Sequence, residues 1–173
     1  MDEATVRRVV EEVLRTVNTA SAAYGRPPEC AGCRVRDPRR RMLNVGRLIY
    51  DRHLSDAAGG NMSMRIGDKV YITPRYMGER HQWGITEDDI ILCDISGNVL
   101  EGDANMISRE GSLHFGVYRK FPEVGAVIHA HPAHILVFAT RRKSIPCVTD
   151  MMEHFGLKEV EVCEPADPAS EDL

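Results

Sequence analysis

Apolar positions recur along this chain with two different periods. Val6, Val9, Val10, Val13, Leu14 and Val17 follow a helical period, which predicts one amphipathic helix over residues 3–23. The stretch GRPPECAGCRVRDPRRR (25–41) breaks that period with prolines, glycines and a basic cluster, and reads as a surface connector. A second helix starts near Pro38, with Met42, Val45, Leu48 and Ile49 on one face. Beyond it the period shortens. GGNMSMRI and KVYITP are two short strands joined at Gly67-Asp68. An open loop, RYMGERHQWGITEDD, leads to strand IILCDI, the turn Ser96-Gly97-Asn98 and VLEG. Leu113, Val117 and Phe121 place a helix over 109–121. VGAVIHAH is a strand whose first half is almost wholly apolar, so it reads as buried. PAHILVFATRR and residues near 149–155 are helical, KEVEVCE is a strand, and PASEDL opens a further helix within which the sequence stops. Helices flanking a largely antiparallel set of strands predict either an α+β plan or an α/β fold with layered α/β/α architecture.

Bulk properties narrow the function classes. A chain of 173 residues fits one domain with a substantial core. Its net charge of −4, from 22 basic and 26 acidic residues, gives no drive toward nucleic acid or membrane. No apolar stretch approaches the roughly 20 residues of a membrane span. The start, MDEATVRR, is charged from its second residue and is no secretory signal. Five scattered cysteines are an odd set, and read as reduced thiols of a cytoplasmic protein. Cys30 and Cys33 are half a zinc ribbon without a second pair, hence incidental thiols on a connector. The arginines at 34, 36 and 39–41 are a solvated patch.

The chemistry concentrates in VIHAHPAH (127–134). On a strand, His129 and His131 share one face while Ala130 takes the other, so both imidazoles can reach one divalent ion. The bland alternative is a pair of polar residues closing a strand. His134 follows Pro132 at a helix start and reads as a capping or packing residue. Upstream, Gly59-Gly60-Asn61-Met62-Ser63 is either a phosphate-cradling loop with free backbone N–H groups or a tight turn entering a strand. Ser108-Arg109-Glu110 sits where Ser108 can cap a helix whose N-terminus favours an anion. Glu110 either complements the helix dipole or serves as a general base beside a metal.

The ordered run GGNMS…YITPR…DIILCDISGNVLEGD…SREGSLHFGVYRKFPEVGAVIHAHPAH resembles the class II aldolase/adducin family, from about Met42 to the end. Residues 1–41 are then an N-terminal helix and connector, and 42–173 the family domain, incomplete at its C-terminus. The resemblance implies a Zn2+ (or other divalent-metal) lyase of the aldolase type. Such an enzyme cleaves a C–C bond in a phosphorylated sugar or sugar acid through a zinc-stabilised enediolate. It is a cytoplasmic homotetramer with neither nucleic acid nor membrane as partner, its sites lying between subunits. Carried over by position, His129 and His131 are metal ligands and Glu110 the acid/base. Gly60, Asn61, Thr73 and Ser108 hold the phosphate end of the substrate, and His114 is structural; Arg109, outside the family pattern, can grip a carboxylate or a phosphate of the substrate.

Departures from the family pattern open other readings. Family enzymes take a third histidine ligand from a later strand, and this sequence stops at Leu173 before one; His154 falls in the helical MMEHFG instead. Arg109 stands where aldolases often have a serine, and the threonine-proline loop is long and carries Arg75, Arg80 and His81. Decarboxylation, epimerisation or dehydration, a catalytically silent module like the adducin head, and a fragment of a longer enzyme are the alternatives.

Overall fold

The computed structural model describes residues 37–154 and 156–164, which form two compact units divided at Ala133/His134. The predicted helix over 3–23, the Cys30/Cys33 connector and PASEDL lie outside the described residues.

In the first unit, helix α1 (Pro38–Asp51) opens with Asp37 as N-cap, its carboxylate accepting from the Arg40 N–H at 3.1 Å, and with proline in its first turn. Met42, Val45, Gly46 and Ile49 form its inward stripe at helical spacing. Leu48, expected on that face, is 54% exposed. Gly46 takes the contact, because a Cβ there would stand 3.3 Å from the Trp83 ring. The helix therefore approaches through its glycine, and Leu48 is left to the side.

Five strands, β1 (Asn61–Ile66), β2 (Lys69–Ile72), β3 (Ile91–Asp94), β4 (Val99–Glu101) and β5 (Ala126–His129), make one antiparallel sheet ordered β4-β3-β2-β1-β5. Gly67 turns β1 into β2 at φ +60°. The Asp94 carboxylate accepts from the N–H groups of Ser96 and Asn98, shaping the turn before β4. Strand alternation sorts the core into two layers. Met62, Met64 and Tyr71 face α1 together with Met77, Trp83 and Ile90. Val70, Ile72, Ile91 and Cys93 face helix α2 (Gly111–Lys120) through Phe115 and Tyr118. The sheet thus lies between helices, in the α/β/α order read from the sequence.

Four local expectations change. Helix α2 starts at Gly111 rather than 109, and buries Gly111, His114, Phe115 and Tyr118, with Leu113 and Val117 only half-buried. Ser108 is therefore not its N-cap. The stretch 75–89 is not an open loop: Met77 and Trp83 are 2% and 1% exposed. Trp83 Nε1–H also donates to the Asp56 carbonyl at 3.3 Å. Closing this loop places Tyr76, Gln82 and Trp83 at positive φ, a conformation that only dense packing sustains. Finally, β5 is short and lies at the sheet edge, with Ile128 half exposed. An apolar run marks a strand, but does not say which neighbours cover it.

The second unit contains α3 (Ala133–Thr140), α4 (Asp150–His154) and a two-stranded antiparallel pair, β6 (Ile145–Pro146) with β7 (Glu159–Val160). The expected strand KEVEVCE pairs over two residues only, and its partner was not anticipated because proline ends it. An Arg142–Glu164 ion pair at 3.0 Å lies in this unit. No helix among the described residues is long and apolar enough to cross a membrane.

Trp83 fills the space between α1 and the sheet. Trp83→Ala is expected to lower unfolding free energy by about 3–5 kcal/mol in urea titrations. A loss below about 1 kcal/mol would show that the loop does not share the core.

Candidate active site

The β1–β5 register sets Asn61 opposite His129, and α2 begins beside them, so the sequence-predicted residues meet at one end of the sheet. His129 Nδ1 lies 2.5 Å from Glu110 Oε2, and His131 Nδ1 lies 3.3 Å from Asp56 Oδ1. Carboxylates at both Nδ1 atoms draw the imidazole protons there and leave the Nε2 lone pairs outward. Those two Nε2 atoms stand 3.1 Å apart. At this distance the two nitrogens can share a proton or a cation. Nitrogens about 2.0–2.1 Å from one tetrahedral zinc would be roughly 3.3 Å apart, so the pair fits a divalent metal. Among the described residues no group of three or more His, Cys, Asp or Glu side chains forms a metal cluster.

Behind the pair runs a buried polar chain. His114, fully buried, donates from Nε2 to Asn61 Oδ1 at 2.5 Å, and its Nδ1 accepts from Ser63 Oγ at 2.7 Å. Ser63 Oγ in turn accepts from the Tyr118 hydroxyl at 2.7 Å. Asn61 Nδ2 then donates to Ser108 Oγ at 3.0 Å and Glu110 Oε2 at 2.6 Å. Only one tautomer and one amide orientation satisfy every atom, and they aim Glu110 at His129. Burial, with the neighbouring His129, pushes His114 down to about 4. His114 is thus structural in the sense expected, and neutral.

A pocket of about 290 Å³ opens beside this cluster, lined among others by Gly60, Asn61, Ser108, Arg109, Glu110 and His131. Ser108 Oγ also accepts from the Glu110 N–H at 3.3 Å. Thr73 is not part of the lining. Its hydroxyl accepts from the Met62 N–H at 3.0 Å and donates to the Met62 carbonyl at 3.2 Å, anchoring β1 one residue beyond Asn61. The glycine loop has a second cause besides free N–H groups. A Cβ on Gly59 would lie 2.5 Å from His131 Cε1, and Gly60 sits at φ +100° with its Cβ direction blocked by Trp83. Of the loop residues, Arg75 lines the pocket, Arg80 stacks on Tyr76, and His81 and His134 are exposed. His154 is in α4. Asp56 and Ser55, whose Oγ accepts from the His131 N–H at 3.2 Å, were not legible in advance, because no local motif marks them.

The α/β/α frame is that of the class II aldolase superfamily, and the chain belongs to it: residues 40–173 match the class II aldolase and adducin N-terminal domain. An L-fuculose phosphate aldolase of Methanocaldococcus jannaschii is 34% identical over 113 residues, covering 64% of this chain and 58% of the relative. A methylthioribulose-1-phosphate dehydratase of Methylococcus capsulatus is 39% identical over 98 residues, 56% of this chain and 46% of the relative. A solved L-fuculose 1-phosphate aldolase superimposes with a TM-score of 0.70 at 29% identity, covering 80% of this chain and 64% of that one. The chain thus spans less than two thirds of the length of each.

His114 makes stability depend on pH. The unfolded chain binds its proton near pH 6.5 and the folded one only near 4, so stability is full above 6.5 and declines as pH falls toward 4. The loss attributable to this residue is about 3 kcal/mol. Urea titrations across pH 4–7.5 are expected to show a shallower acid decline in His114→Gln than in wild type; parallel curves would contradict the buried neutral imidazole.

Proposed function

We propose that this chain is a metal-dependent lyase of the aldolase type, working on a phosphorylated sugar or sugar acid as a cytoplasmic homo-oligomer, a tetramer. The observation that carries this reading is the His129–His131 pair, with Nε2 atoms 3.1 Å apart and each Nδ1 beside a carboxylate, at the side of a polar pocket.

His129 and His131 would hold the metal, zinc or another divalent ion. When bound, it supplies Lewis-acid polarisation of the substrate's carbonyl and hydroxyl oxygens. Everything else falls to the chain. Glu110, held by Asn61 and His129, removes a proton from the substrate hydroxyl and returns one to the carbon freed by cleavage. Asn61 keeps that carboxylate in place, and His114 prevents the Asn61 amide from rotating. The Gly60 loop, Ser108 and Arg109 receive the phosphate and orient the substrate. Thr73 contributes by fixing the backbone from which Asn61 projects. Glu110 is compatible with dehydration on the same platform, and the similarity to a dehydratase favours that as the second reading.

Metal analysis of the purified protein is expected to find a divalent ion, with binding weakened at least about tenfold in His129→Ala and His131→Ala. Glu110→Gln should keep the ion while slowing turnover by roughly 10²–10⁴ in cleavage and dehydration assays on a sugar-phosphate panel. Protein devoid of metal and indifferent to these substitutions would end the proposal; the product formed separates aldol cleavage from dehydration.

A further inference from the structure

Helix α3 (AHILVFAT) is apolar on nearly every side, yet none of its residues is buried. Ile135 and Val137 are 47% and 56% exposed, and Leu136 and Phe138 are open as well. A helix apolar all round belongs inside a protein. Among the described residues nothing buries this one. Val148 and Met151, in the same unit, also stand exposed. The described part of that unit, within residues 134–164, is shorter than the roughly 40 residues a chain needs to support a core alone. Its apolar surface therefore requires a further element.

Two end segments of the chain lie outside the described residues, 1–36 and 165–173. PADPASEDL carries one large apolar residue, Leu173, and cannot cover a helix. Residues 3–23 carry the aliphatic stripe Val6, Val9, Val10, Val13, Leu14 and Val17, which itself needs a partner. At about 1.5 Å per helical residue that stripe would run about 16 Å, against about 12 Å for α3. Charge agrees with this pairing. Asp2 and Glu3 stand at the start of the N-terminal segment. Arg141 and Lys143 follow α3, are exposed, and make no ion pair among the described residues. The connector, residues 24–36, can extend to about 43 Å, beyond the ~30 Å diameter of a small domain. Tethered in this way, the helix meets α3 at an effective concentration on the order of millimolar, which a second copy at micromolar protein does not match.

We propose that the helix predicted over residues 3–23 docks through its valine stripe on the apolar side chains of α3, so that the N-terminal segment is an intramolecular cover for the second unit. A helix as short as α3 has little stability of its own, so exchange of its amides reads the cover directly. In hydrogen-exchange mass spectrometry of the full chain, peptides over 133–143 are expected to exchange at least about tenfold more slowly than unstructured chain. Val10→Asp/Val13→Asp should remove that protection and leave the amides of β1–β3 as in wild type. Should the double variant disturb β1–β3 as well, Val13→Ala is the milder probe, expected to speed α3 exchange about tenfold with β1–β3 unchanged. Unprotected α3 in wild type would overturn the proposal. So would protection that survives the stripe substitutions; its dependence on protein concentration would then identify a second copy as the cover. Loss of β1–β3 protection in both stripe variants would overturn it too, by placing the N-terminal segment in the main core.

Discussion

The side-chain amide of Asn61 is the constraint on which the site depends. It is 4% exposed, so both ends of its dipole must find partners inside the protein. Oδ1 takes the His114 proton, and Nδ2 serves Ser108 and Glu110. Each such bond contributes only about 0.5–1.5 kcal/mol net, but leaving one group buried and unmet costs about 1–3 kcal/mol. The penalty for disorder is therefore larger than the reward for order, and the network holds one arrangement. That arrangement delivers a carboxylate to His129 and, through the β1–β5 register, the two imidazoles to each other.

Much of the surrounding structure keeps Asn61 in position. Thr73 stitches the backbone of Met62 on one side, and the glycines at 59 and 60 let His131 and Trp83 close on the other. Trp83 in turn ties the loop after β2 to Asp56, the residue that orients His131. Core packing and the geometry of the candidate site are thus connected through a single indole. The left-handed residues of that loop are the backbone cost of the connection, offset by burial of Met77 and Trp83.

Polar residues here divide by burial into holders and users of charge. His114, deep and neutral, holds; Glu110, His129 and His131, at one quarter to one third exposure of their side chains, remain available to ligands. The two pocket arginines extend the same logic outward. Arg109 is exposed, whereas the Arg75 guanidinium donates to the Asn105 carbonyl and lies against the Tyr76 ring.

The chain's own pattern determined the layered α/β/α order, the Gly67 and Gly97 turns, and the placing of His129 and His131 on one face, because period and turn chemistry are local properties. It also carried the ordered motifs that mark the family and the choice of Glu110, Asn61 and Ser108. The tertiary structure alone decided that Thr73 anchors backbone instead of lining the pocket, that α2 starts at Gly111, and that β5 is an edge. It alone brought Asp56 to His131 and folded the long loop into the core. Those outcomes depend on residues 11–75 positions apart closing on each other, and no period in a sequence encodes which distant groups will share a burial cost.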